Sequence, residues 1–370
     1  MKKSLNYFFS KAKELKEKGE KVIGLTLTSP EFSPPPLRER ILKFYKKSFS
    51  YLPSGGDFRL RKALAKFYSK KWNAPLKKEN TFVGSGGKEV LFILLQLLLK
   101  KGDEAIIISP YWPSYPQMIK MAQGKVKILK TSEKCSFYLD VKKLEKEISP
   151  STKVLIVNTP CNPTGRILKD EDVKFLSELS LKKNFILISD EVYEIYDYEK
   201  KYVSFLKYFH KNIFCVFSAS KTFSLCGWRV GWGFGKEALV SKMIEYQSNL
   251  TTSPSSLSQL VIRDFFENPQ EIEKYFEKTK KEAQKRREIA IKFLRKKGIK
   301  FVFPEGGIAI FIRIPSSFKN AFSFAQTLLE KEKVSVAPGE IFGQRFYIRL
   351  NLAVSPEELK EGLKRIFKYY

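Results

Sequence analysis

The stretch Ser218-Ala-Ser-Lys-Thr-Phe-Ser-Leu-Cys-Gly-Trp-Arg-Val-Gly-Trp232 decides how this chain is read. It follows the apolar run Ile213-Phe-Cys-Val-Phe217, which predicts a buried strand. Small residues then place Lys221 just past the strand end, and eight residues on Arg229 opens a second strand-like run over 230–234. A lysine held there in apolar surroundings loses its proton more easily, because burial disfavours the ammonium form. The neutral amine can attack a carbonyl and form a Schiff base. Taken alone, Lys221 is equally one cation among 68 Lys and Arg. Its neighbours in the chain separate the two readings.

Outward from this stretch, apolar runs alternate with helical patterns, and polar residues collect where the runs end. A strand over 154–157 leads into the turn Asn158-Thr-Pro-Cys-Asn-Pro-Thr-Gly165, and one over 185–189 ends at Asp190, with Tyr193 three residues on. A strand over 105–109 enters the rigid aromatic loop Pro110-Tyr-Trp-Pro-Ser-Tyr-Pro116, whose Trp112 offers a stacking face. A short strand over 81–83 precedes Gly84-Ser-Gly-Gly-Lys-Glu89 and an apolar helix to residue 100. Strand, glycine loop and helix together offer bare N–H groups to a phosphate. Glu89 breaks both the P-loop pattern, which needs Ser or Thr there, and the dinucleotide pattern, which needs glycine. Strands apolar throughout predict an α/β fold, a mainly parallel sheet covered by helices on both faces. Ligands of such sheets bind beyond the carboxyl ends of the strands. The glycine loop, Trp112, Asn162, Asp190 and Lys221 all fall there.

The flanking segments read differently. A charged helix over 11–21, a strand over 22–27, a proline-rich loop over 29–36 and helices over 37–49 and 58–71 come first. A long charged helix over 273–297, strands over 301–303, 306–313, 334–336 and 346–350, and a helix over 322–332 close the chain. These predict a smaller α+β domain from 1–44 and 281–370, beside a large domain over 45–280.

Composition narrows the function classes. The chain of 370 residues is 43% hydrophobic and 29% charged, as soluble globular proteins are. The N-terminus lacks a signal-peptide core, and the most apolar run, 90–99, is too short to span a bilayer, so no membrane partner is expected. Cys135, Cys161, Cys215 and Cys226 show no CxxC spacing and read as reduced thiols of a cytoplasmic protein. A single histidine, His210, argues against a multi-imidazole metal site and reads as a loop residue. The net charge of +29 is spread along the chain and mixed with glutamate. Without a nucleic-acid motif it reads as a solvated lysine-rich surface whose field attracts anionic substrates.

With these residues in place, the chain from about residue 20 onward resembles the class I pyridoxal-phosphate (PLP) aminotransferases, the aspartate aminotransferase family of fold type I. Eight motifs carry the resemblance, in order: Tyr51-x-Pro-x-x-Gly56, Gly86-Gly-Lys88, the loop 110–116, Asn162-Pro-Thr-Gly165, Asp190-Glu-Val-Tyr193, Ser218-x-Ser-Lys221, Gly227-Trp-Arg-Val-Gly231 and Arg349-Leu-Asn-Leu-Ala353. The resemblance implies that Lys221 carries PLP as a Schiff base and then acts as the base that moves the substrate α-proton. It implies that Asp190 pairs with the pyridine nitrogen, that Tyr193 and Asn162 bond the phenolic oxygen, and that Trp112 stacks on the ring. Gly86, Gly87, Ser218 and Arg229 would hold the phosphate, with Tyr51 reaching it from the other subunit of a homodimer. Arg349 would grip the α-carboxylate, and Lys88 a second carboxylate. That points to aspartate as amino donor and a 2-oxo acid such as 2-oxoglutarate as acceptor. Thr28, near the substrate carboxylate, replaces a usual glycine, Cys161 a usual Asn or His, and the N-terminal arm is short. Aromatic or aliphatic amino acids, with Tyr115 and phenylalanines lining the pocket, and a PLP lyase or decarboxylase remain alternatives. A Ser-x-x-Lys hydrolase lacks its K-T-G partner here, and a PLP-binding regulator lacks a DNA-binding domain within residues 1–20.

Overall fold

A computed structural model of the chain describes residues 5–26 and 29–370. In chain order its strands are β1 (Ile23–Gly24), β2 (Thr81–Gly84), β3 (Glu104–Ser109), β4 (Lys125–Lys130), β5 (Thr152–Asn158), β6 (Ile186–Asp190), β7 (Ile213–Ser218), β8 (Gly231–Phe234), β9 (Phe301–Val302), β10 (Ala309–Arg313), β11 (Val334–Ser335), β12 (Ala337–Pro338) and β13 (Tyr347–Asn351).

Seven of them form one sheet in the order β2-β8-β7-β6-β5-β3-β4. Only β8 runs against the rest, pairing antiparallel with both β2 and β7. The fold is therefore α/β with a mainly parallel sheet, as fold type I requires. β7 shows why its sequence carries no polar alternation. Cys215 and Phe217 point into one apolar core and Phe214 and Val216 into another, so both faces are covered. The helices Phe58–Trp72, Asp170–Lys182 and Ser256–Glu267 pack on the first face. The helices Gly87–Leu98, Ser114–Met121 and Glu237–Leu250 pack on the second. The apolar run 90–99 is thus a core helix, and among the described residues no helix is long and apolar enough to cross a membrane.

A second sheet, β12-β13-β10-β9, and the parallel pair β1-β11 gather around a separate core. The helices Leu5–Glu17, Ala321–Glu332 and Pro356–Ile366 and the end of the long helix Pro269–Lys296 complete it. Asp57 starts the helix Phe58–Trp72 by accepting the Leu60 N–H at 2.8 Å.

Several expectations need adjustment. The N-terminal helix starts earlier and stops at Glu17, because Gly19 turns left-handed at φ +86°. The strand over 22–27 shrinks to Ile23–Gly24, since β11 offers it only two partners; Leu27 and Thr28 lie outside the described residues. The helix over 37–49 ends at Phe44 and continues as one 3₁₀ turn. The helices Asp170–Lys182, Glu237–Leu250 and Ser256–Glu267 and strand β12 were not predicted from the sequence.

Candidate active site

β2, β3, β5, β6 and β7 all point their carboxyl ends the same way, because the one reversed strand, β8, separates β2 from β7. Beyond those ends lies a cleft of about 380 Å³. Gly87 and Lys88 reach it from the end of β2, Trp112 from β3, Asn158 and Asn162 from β5, Asp190 and Tyr193 from β6, and Ser218, Ser220 and Lys221 from β7. Arg229 and Cys226 close one side. A larger groove of about 1220 Å³ runs between the helices Phe58–Trp72 and Pro269–Lys296. Its walls mix surface lysines and glutamates and include none of the residues converging on the cleft, so the smaller cavity is the site with chemistry.

One end of the cleft is built to receive an anion. The helix Gly87–Leu98 starts there, with its first N–H groups free of intrahelical partners and its dipole positive at that end. The Arg229 guanidinium donates to the Ser85 carbonyl at 3.0 Å and the Cys226 carbonyl at 2.8 Å, and reaches the Ser220 hydroxyl at 3.4 Å. A Cβ on Gly86 would fall 2.3 Å from Nη2 of Arg229, and Gly86 also sits at φ +91°. Only glycine lets loop and guanidinium approach so closely. Ser218 begins the single helical turn Ala219–Thr222 by accepting from the Ser220 N–H. Glu89 accepts from the Ser85 N–H and from Gln247 at 3.2 Å, bracing the loop from behind.

Lys221 lies in that turn, its backbone carbonyl accepting from the Tyr196 hydroxyl at 2.8 Å. Burial holds its ammonium below the usual lysine range; nearby Cys226 pulls the other way, while Arg349 and Arg229 add to the lowering. Asp190, at the end of β6, is buried, which pushes its carboxyl up to about 6. The Tyr115 hydroxyl, at 2.5 Å from Oδ2, resists that rise by hydrogen-bonding the ionised form. Trp112 packs edge-on to Tyr115, ring centroids 5.4 Å apart, and the Lys88 ammonium sits 5.0 Å from the Trp112 ring centroid. Burial lowers the Lys88 pKa, and Arg229 lowers it further.

Arg349, on β13, does not form part of the cleft wall. It stands behind Asn162, 1% exposed, donating to Asn162 Oδ1 at 3.0 Å and to the Thr26 carbonyl. Its Nε–H meets no acceptor among the described residues. Tyr51 is 82% exposed and lies outside this chain's own cleft, Thr28 is outside the described residues, and its neighbour Ser29 reaches the cleft wall. Cys161 is half-buried and contacts the Pro110 carbonyl at 3.8 Å. His210 is a loop residue whose ring bonds the Ser177 carbonyl at 3.0 Å, away from the cleft.

Sequence reasoning missed three contributors. Tyr115 was read as a pocket liner, whereas it donates to Asp190, 75 residues away. Its spacing of three residues from Trp112, which puts both on one side of a helical turn, was the available signal. Ser220 stood in the Ser218-x-Ser-Lys221 motif with no role assigned, and Cys226 carried no signal beyond its nearness in sequence to Lys221.

Comparison with known proteins places this geometry. The profile of the family "Aminotransferase class I and II" matches residues 25–366. The chain is 32% identical to the aspartate/prephenate aminotransferase of Thermus thermophilus, over 96% of this chain and 93% of that one. Its structure is similar to that of the Thermus thermophilus aspartate aminotransferase with maleate, with a TM-score of 0.95 at 32% identity, covering 99% of this chain and 96% of the other. It is also similar to an aromatic aminotransferase from Pyrococcus horikoshii, with a TM-score of 0.89 at 29% identity over 96% and 98% of the two chains.

Proposed function

The chain belongs to the class I and II aminotransferases and is a PLP-dependent transaminase, and we propose that Lys221 is its cofactor lysine and that it transfers the amino group of aspartate to a 2-oxo acid such as 2-oxoglutarate. The donor set fits the cofactor. The cradle of Gly86, Gly87, Ser218, Ser220 and Arg229 suits a phosphate, and a Cβ at Gly86 would close it. PLP supplies an aldehyde that exchanges amino groups and a pyridine ring that takes up negative charge.

The protein's residues do the rest. Lys221, with its ammonium form disfavoured, offers an amine for Schiff-base formation and, once released, a base for the α-proton. Asp190, in the cleft wall and oriented by Tyr115, would hold a proton on the ring nitrogen. Tyr193, Asn162 and Trp112 line the same cleft, where the first two would hydrogen-bond the ring oxygen and Trp112 would stack on the ring face. Arg349, whose Nη1 bonds the cleft-lining Asn162, would pair with the substrate α-carboxylate beside that amide, and its Nε–H has no acceptor among the described residues.

The observation that carries the reading is the convergence of Lys221, Asp190 and the Arg229 cradle on one cleft. Lys88 carries the substrate choice: a second, partly desolvated cation in the same cleft favours a second carboxylate. The related enzyme with maleate, itself a dicarboxylate, supports this. The stretch Ser248-Asn-Leu-Thr-Thr252 contains no arginine that might take this role instead. Aromatic substrates are the second reading, favoured by the Trp112 and Tyr193 rings in the cleft and by the likeness to an aromatic aminotransferase.

We further assign residues 45–280 to a PLP-binding domain and 1–44 with 281–370 to a small domain, and read the enzyme as a cytoplasmic homodimer. Four free cysteines fit a reducing compartment. The exposure of Tyr51 fits a role in a partner's site. Borohydride reduction of the PLP-loaded protein and peptide mapping should label Lys221, and a label on another lysine refutes the assignment. kcat/KM should favour aspartate over alanine, phenylalanine and leucine. Lys88→Ala should cut the aspartate value at least about tenfold more than the others. An equal loss on all four removes the acidic-substrate reading and leaves the transaminase intact.

A further inference from the structure

Cys226 takes no part in the transamination just described, yet its sulfur lies 3.8 Å from Nζ of Lys221. The contact is built into the backbone. After the single turn Ala219–Thr222 the chain folds back, the Leu225 N–H donating to the Ala219 carbonyl at 3.2 Å, with Ser224 left-handed at φ 57°. The Cys226 thiol donates to the Ser220 carbonyl at 3.2 Å, and Arg229 holds the Cys226 carbonyl at 2.8 Å. The sulfur is half-buried and borders the cleft, so a small solute can reach it. The Arg229 guanidinium, held on the Cys226 carbonyl, makes its surroundings electropositive, the setting in which thiols react with peroxides. Cys161, by contrast, does not line the cleft and points its thiol at the Pro110 carbonyl, 3.8 Å away.

We propose that Lys221 and Cys226 form a peroxide-responsive covalent lock on the empty cofactor site. Hydrogen peroxide oxidises the Cys226 sulfur to a sulfenic acid, its O–O bond breaking as the sulfur takes one oxygen and water leaves. The neutral Lys221 amine then attacks that sulfur. An S–N bond forms, the S–O bond breaks, and the hydroxyl departs as a second water with the proton from nitrogen. The four-carbon stem of Lys221 closes the remaining gap. The product has lost the amine that a Schiff base needs, so it no longer takes up PLP. A thiol reductant reverses the link by attacking sulfur and returning both side chains. With PLP on Lys221 the amine is already bonded, so the loaded enzyme is protected.

The test treats the full chain, with and without PLP, with dilute hydrogen peroxide and maps tryptic peptides by mass. In the cofactor-free chain we expect a peptide joining residues 221 and 226, lighter than the reduced form by about 2 Da, which dithiothreitol restores. Cys226→Ser should abolish it and Cys161→Ser should leave it. PLP should slow it by about tenfold or more. Cys226 carried on to its sulfinic acid while Lys221 keeps a free amine overturns the proposal, and mapping of the unmodified sequence decides this even if Cys226→Ser folds poorly. Equal rates with and without PLP leave the link standing and overturn instead the assignment of Lys221 as the cofactor lysine.

Discussion

Asp190 sits in the folded chain with its carboxyl pushed up to about 6 by burial, against 3.8 for a solvated aspartate. The direction of the resulting pH dependence follows from linkage. Above pH 6 the side chain is ionised in both the folded and the unfolded chain, and burying that charge costs on the order of 3 kcal/mol. As pH falls through 6 toward 3.8 the folded form takes up the proton first, and the cost disappears. Asp190→Asn keeps an oxygen for the Tyr115 hydroxyl and removes the charge. The cofactor-free variant should therefore be more stable than the parent at pH 8, by that order, with the difference fading near pH 4. Thermal unfolding at the two pH values measures it, and equal stability at pH 8 would mean that the charge is already compensated in the empty cleft. In the loaded enzyme the same change should cost at least about a hundredfold in turnover, because the charge that disfavours the empty fold is the one a cationic ring needs. The Tyr115 hydroxyl resolves the conflict halfway by hydrogen-bonding the carboxylate without neutralising it.

At the scale of elements, the cleft depends on how closely β8 passes under the glycine loop. A Cβ on Gly231 would stand 2.2 Å from the backbone nitrogen of Gly87 and 2.5 Å from the Gly86 carbonyl carbon. That is backbone against backbone, which no rotamer relieves. Gly231→Ala must push the helix Gly87–Leu98 away from the cleft and misplace its N-terminal N–H groups. Gly227, four residues earlier in the same motif, has nothing within 4 Å of its Cβ position. We expect Gly231→Ala to weaken PLP binding at least about tenfold, roughly the loss of one well-placed phosphate hydrogen bond. Gly227→Ala should bind PLP as the parent does. Fluorescence titration with PLP compares them, and equal affinities would show that the loop does not depend on this approach.

For the whole molecule, the stretch of chain between β1 and β2 presents Leu42, Tyr45, Phe49, Tyr51 and Phe58, all more than half exposed. Large apolar side chains gathered along one short segment are the kind of surface that interaction sites present, and this one suits the proposed dimer. Phe49, 72% exposed and edge-on to Tyr45 at 5.0 Å, lies close to Tyr51 in sequence without belonging to the cleft. If the proposed homodimer uses this surface, Phe49→Asp should shift sedimentation from dimer to monomer at micromolar protein and lower activity in proportion, since each cleft would then lose the Tyr51 assigned to it from the partner. A parent chain that sediments as a monomer would overturn the dimer. A variant that dissociates with full activity would retain the dimer and overturn the role of Tyr51.

Much of this protein was legible in its sequence because the relevant signals are local. Apolar runs with no polar alternation mark strands covered on both faces, and the residue that ends such a run is at the strand's carboxyl end whatever the rest of the chain does. Lys221, Asp190, Asn162 and Trp112 were therefore placed beyond strand ends before any partner was known. The helix over 58–71 was likewise readable, and its start is set by an N-cap that acts within three residues. Pairings across long separations were not legible. Nothing in the loop 110–116 says that Tyr115 will meet Asp190, and nothing near Ile23 says that it will pair with Val334. Glu89 reads in sequence as a broken phosphate motif, and only the packing of Gln247 and the Ser85 N–H against it shows a brace. Arg349 is marked by its motif, but its place behind Asn162 depends on how the second sheet docks against the first. Backbone propensity and periodicity act over a few residues, so sequence determines which side chains stand at element ends; which of them meet is decided by the packing of whole elements, through contacts that no short stretch contains.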